Sequence, residues 1–102
     1  MKNTVLNETY ELLREMKIVK NESEFAKDWL GKSSSYTRVL RCKDIEASTG
    51  CVAVCGIKLA HYGKRMVETE GYTRIGKRFL ELSEQCNNEI KERAKRDWLQ
   101  AA

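Results

Sequence analysis

Arg38 and Arg41 stand three residues apart, the spacing of one helical turn, just after three consecutive serines, Ser33, Ser34 and Ser35. Arginine carries five N–H donors in a rigid fork. That fork fits two acceptors at once, on a phosphate or on the edge of a guanine. Short hydroxyls donate to phosphate without blocking close approach, and a helix start adds unpaired amides and a positive dipole end. Lys32, Thr37 and Lys43 flank the set. Together Lys32, Ser33, Ser34, Ser35, Thr37, Arg38, Arg41 and Lys43 form a candidate surface for a polyanion.

Such a set needs a rigid platform, and the preceding residues supply one. Phe25, Ala26, Trp29 and Leu30 recur at helical spacing after Ser23, a favoured N-cap; Asn21 is the other candidate cap. Gly31 ends that helix, because glycine accepts the left-handed backbone of a sharp exit. A second short helix is predicted from Ser33 to about Arg41, with Tyr36, Val39 and Leu40 inward. On a wheel of about 100° per residue, Ser34, Arg38 and Arg41 then lie opposite, with Thr37 on the flank. Helix, tight turn and outward arginines over residues 23–41 form a helix-turn-helix pattern.

The charge balance follows the same division. The chain of 102 residues carries a net charge of +4. Residues 1–30 hold five Lys/Arg and six Asp/Glu, residues 31–66 seven and two, and residues 67–102 seven of each. The whole excess therefore sits in the block that opens at the reading helix, where it would attract phosphate in a salt-dependent way.

Other chemistry finds little support. His61 has no acidic residue one turn away, and no glycine-rich phosphate loop, HExxH or nucleophile elbow occurs. The pattern predicts no enzyme and no cofactor. Cys42, Cys51, Cys55 and Cys86 match no common zinc spacing and read as reduced thiols, mostly in the core. There is no apolar run long enough to span a membrane and no h-region of a signal peptide, so a cytoplasmic location is expected.

The fold class expected is all-α with about five helices. The chain has no proline, little glycine and recurrent spacing of apolar residues by three and four. The first helix is expected over Thr4–Lys17, with Leu6, Tyr10 and Leu13 on one stripe. A fourth begins at Asp44 or Ser48 and runs to about Met66; Gly50, Gly56 and Gly63 either permit close packing there or mark breaks. The last runs over Tyr72–Ala102. Its stripe, Tyr72, Ile75, Phe79, Leu82 and Cys86, continues by fours through Ile90, Ala94 and Trp98. Thirty residues of helix would span about 45 Å. Such a stripe suits either a partner helix from a second copy or a fold back over the rest. The organisation expected is a domain over 1–66 and a C-terminal dimerisation helix over 67–102.

The run Ser23–Glu24–Phe25–Ala26, Leu30–Gly31, Ser33–Ser35–Tyr36 and Leu40 resembles the lambda-repressor-like helix-turn-helix fold. Within that fold it is similar to small bacterial or phage regulators with a Trp-Leu-Gly-Lys-Ser turn, here Trp29–Ser33. The resemblance covers about Thr4–Ala60. It implies that Ser34, Arg38 and Arg41 approach the major groove, with Ser33 and Ser35 near phosphate. Two positions depart from the pattern. Four residues, Lys27 to Leu30, separate Ala26 from Gly31 where three are usual, and Lys32 follows that glycine where an apolar residue is usual.

The function expected is a sequence-specific DNA-binding regulator of transcription, dimeric, reading double-stranded DNA with helix 33–41. The alternative is a helical adaptor on the same scaffold, without DNA binding, that uses its C-terminal helix to hold a protein partner.

Overall fold

The first helix, α1, spans Thr4–Glu15 in the computed structural model, which describes residues 4–101. Leu6, Tyr10 and Leu13 are buried, as the stripe predicts, and Val5 and Thr9 join them. The chain leaves α1 through Lys17 in the left-handed region, φ 62°. The next helix, α2, is capped by Asn21 rather than Ser23: the Asn21 side chain accepts from the Glu24 amide at 2.9 Å.

That helix begins as an α-turn over Glu22–Glu24 and continues as a π-turn over Phe25–Trp29. The Leu30 amide donates to the Phe25 carbonyl at 3.0 Å, five residues back. A π-turn absorbs one extra residue without changing which residues face the core. Phe25, Ala26, Trp29 and Leu30 all remain buried. Gly31 follows at φ +68°, and the Lys32 amide closes the end on the Ala26 carbonyl at 2.9 Å.

The third helix, α3, covers Tyr36–Lys43, three residues later than expected at its start. Ser33–Ser35 form the turn before it, with the Tyr36 amide on the Ser33 carbonyl at 3.0 Å. Asp44, at φ 51°, ends α3 in the left-handed region. Ser48 begins the fourth helix, α4 (Thr49–Val67), and its hydroxyl accepts from the Cys51 amide at 3.1 Å. The Tyr36 hydroxyl accepts from the Ser48 amide at 3.2 Å and fixes the loop between α3 and α4.

The last helix, α5, runs Thr73–Ala101. Among the described residues there are five helices and no strand. No helix there is long and apolar enough to cross a membrane. Contacts divide the chain into two compact units, Met1–Cys51 and Val52–Ala102, so the boundary falls inside α4 and not after residue 66.

The second unit is an antiparallel pair of helices joined by a turn through Gly71, φ +87°. Its glycines permit close packing and do not break α4. A Cβ on Gly56 would stand 2.9 Å from the Cβ of Cys86, and one on Gly63 would stand 3.0 Å from Phe79 and Leu80. The Ser83 hydroxyl donates to the Gly56 carbonyl at 2.8 Å across the seam. Phe79, Leu82 and Cys86 are fully buried. These three cannot form the expected dimerisation stripe, because the chain already covers them. Ile75 is half-buried, and Tyr72 is exposed beside the turn. Beyond Cys86 the inner face advances by seven to Arg93, whose Nε donates to Glu89 Oε1 at 3.1 Å. Ala94 and Trp98, expected on the stripe, are exposed.

Candidate nucleic-acid interface

The first unit carries a groove of about 550 Å³. The end of α1 contributes Tyr10 and Arg14, the start of α2 contributes Asn21, Glu22 and Ser23, and the turn and α3 contribute Ser34, Thr37, Arg38 and Arg41. Three arginines from two helices thus face one concavity. Four of its lining residues, Ser34, Thr37, Arg38 and Arg41, belong to the predicted contact set.

Each arginine is held differently. Arg14 pairs with Glu11 at 3.2 Å and lies 5.7 Å from the centroid of the Tyr10 ring. Arg41 gives Nη1 to both carboxylate oxygens of Glu22, at 2.5 and 2.6 Å. The hydrogen bond and then the charge of Glu22 raise the Arg41 pKa above its ordinary value, so Arg41 stays cationic. Arg38 is exposed and has no ion pair among the described residues.

The α3 face is turned from its expected orientation. Leu40 is buried as predicted and Tyr36 is half-buried, but Val39 is 40% exposed and Thr37 is fully buried. Leu40 anchors the helix from within, and the Arg41 side also forms the pair with Glu22 of α2. Thr37 lies between Arg41 and Leu40 on the wheel, so the buried face centred near Leu40 takes in Thr37 and leaves Val39 toward solvent. Thr37 therefore does not stand on the open face with Arg38. Its Oγ1 finds no hydrogen-bond partner among the described residues and belongs to the wall of the groove.

Ser34, Arg38 and Arg41 are exposed together, as the spacing implies. Ser33 is exposed and its hydroxyl lies 3.4 Å from that of the half-buried Ser35. Lys32 is exposed with Nζ 5.5 Å from the Tyr36 ring centroid. Lys43 is exposed at the last position of α3, away from the Arg38–Arg41 side. Sequence reasoning missed Tyr10, Arg14 and Glu22. The first two sit four apart at the end of α1, a visible pair. Glu22 lies nineteen residues from Arg41, a contact that no local spacing announces.

The cysteines and histidine form no second site here. Cys51, Cys55 and Cys86 are buried and Cys42 is exposed. No group of three His, Cys, Asp or Glu residues is placed to hold a metal among the described residues. His61 is exposed and meets Tyr62 edge-on, with ring centroids 5.1 Å apart.

The chain belongs to a family of unknown function (DUF6626), whose profile matches residues 6–99. No curated protein and no solved structure matches the chain.

Proposed function

We propose that this family member is a small, cytoplasmic, DNA-binding regulator of transcription that docks α3 and the turn before it on double-stranded DNA. The observation that carries the reading is Arg38. It is an exposed arginine without an ion-pair partner among the described residues, on one groove with Arg41 and Ser34. An uncompensated arginine gains from displacing counterions along a duplex, whereas a paired one gains less. The order of α2, a turn with a left-handed glycine and α3 further supports a helix-turn-helix reading. The net charge of +5 over residues 31–66 supports it too.

A two-fold pair of such chains would double the contacts and set a spacing between half-sites. With Phe79, Leu82 and Cys86 buried, pairing falls to exposed apolar residues of α5, Trp98 and Leu99 near its end. Salt titration of binding to a random duplex tests the DNA reading. Affinity should fall steeply with salt, and absence of binding at low salt would overturn it.

A second reading is an adaptor that holds its partner on α4 rather than on the C-terminal helix. The exposed side of α4 carries Val54, Ile57 and Tyr62, with Ile57 70% exposed. Residues 49–67 hold no acidic side chain, while Lys64 and Arg65 line a shallow groove with Ile57 and His61. A partner with an acidic, partly apolar segment would suit that face.

A further inference from the structure

We infer that Arg41, oriented by Glu22, reads a guanine edge, while Arg38 anchors a phosphate. The inference rests on the DNA-binding reading and divides its work between two residues of one groove.

The two arginines sit on the same helix three residues apart and both are exposed, yet their electrostatic states differ. Glu22 and Arg41 form a pair whose formal charges cancel. Such a pair attracts phosphate weakly, because the carboxylate repels the phosphate that the guanidinium would draw in. It also displaces few counterions from a duplex, since it neutralises little phosphate charge. Arg38 has no such partner among the described residues. Phosphate anchoring therefore belongs to Arg38.

Pairing does not consume Arg41. Both Glu22 oxygens engage Nη1, and Nε and Nη2 make no hydrogen bond among the described residues. Glu22, 28% exposed in its side chain against 51% for Arg41, is the more enclosed partner and restrains the Arg41 guanidinium. A guanidinium held at one nitrogen has lost much of its rotamer freedom before it meets a ligand, so less is lost on binding. The remaining donors suit two neutral acceptors side by side. In a major groove, guanine N7 and O6 present such a pair. A neutral base edge is not repelled by Glu22 as a phosphate is. Glu22 is thus a positioning residue, and the ligand class is duplex DNA with a guanine one contact away from a phosphate held by Arg38.

The test is selection of bound sequences from randomised duplexes, with salt titration of the selected site, for the full chain and four variants. The unmodified chain should select a G·C pair at one position per α3. Arg41→Lys, which keeps the charge balance with Glu22, should lose that preference by about 5- to 150-fold with an unchanged salt slope, and Arg41→Ala should lose it as well. Glu22→Gln should weaken the preference and steepen the slope by about 1, since Arg41 becomes free to hold phosphate. Arg38→Ala should keep the preference and reduce the slope by about 1. If Arg41→Ala instead reduces the slope and leaves base preference intact, Arg41 is a phosphate anchor and the inference is overturned. If the unmodified chain binds no duplex at low salt, the DNA reading itself fails, a result distinct from the first.

Discussion

The Gly63 carbonyl oxygen lies 2.9 Å from the point where a Cβ on Gly76 would stand, and the Val67 amide nitrogen lies 2.6 Å from it. Backbone atoms of α4 cannot move aside as a side chain can. Gly76→Ala should therefore force the two helices of the second unit apart and lower stability by about 1–3 kcal/mol. Gly50 offers the control: a Cβ there meets nothing within 4 Å, and it lies in the first turn of α4. Gly50→Ala should be neutral or stabilising by about 0.4–1 kcal/mol. Urea denaturation of both variants checks the contrast, and equal destabilisation would refute the seam.

Trp29 ends the π-turn and is 6% exposed. Trp29→Ala should destabilise the chain by about 3–5 kcal/mol, a large share of the stability of about 5–15 kcal/mol usual for a domain. A variant with an unchanged melting temperature would show that the tryptophan packs against nothing that matters.

The π-turn makes a sharper prediction. If it exists to absorb one inserted residue, deleting the exposed Lys27 should let Phe25–Trp29 relax to an ordinary α-turn. The deletion should fold with native far-ultraviolet circular dichroism and be less destabilised than Trp29→Ala. An unfolded deletion variant would mean that the π-turn is required in itself.

Phe79 and Trp98 should separate stability from self-association. Phe79 is fully buried within the chain, so Phe79→Asp should unfold the second unit rather than release a folded monomer. Trp98 is 69% exposed, so Trp98→Ala should change stability by no more than about 0.5 kcal/mol. Sedimentation should show a weaker dimer for that variant; equal association of both proteins would remove Trp98 from the interface.

The helices and their order were legible because apolar spacing and local caps carry them. Gly31 marks a boundary by its left-handed backbone and Ser48 by a side-chain cap on the Cys51 amide, both local signals. The orientation of α3 was not legible. Val39 outranks Thr37 in hydropathy, yet the packing of α3 buries Thr37 and leaves Val39 40% exposed, and that packing is set by residues far away in sequence. The C-terminal stripe was visible but its occupant was not, because Phe79, Leu82 and Cys86 suit a partner chain and a neighbouring helix equally. Gly56 and Gly63 in α4 held the missing information: small residues facing a stripe let the chain's own helix approach it.

Nuclear magnetic resonance mapping of the full chain titrated with a short duplex tests the central claim most directly. Backbone amide shifts should concentrate on residues 32–43 and at Glu22, with Arg38 and Arg41 side-chain signals among the most perturbed. The exposed side of α4 around Ile57 and His61 should stay unmoved. Shifts centred on that side of α4 or on the end of α5, with residues 32–43 unchanged at saturating DNA, would contradict the account.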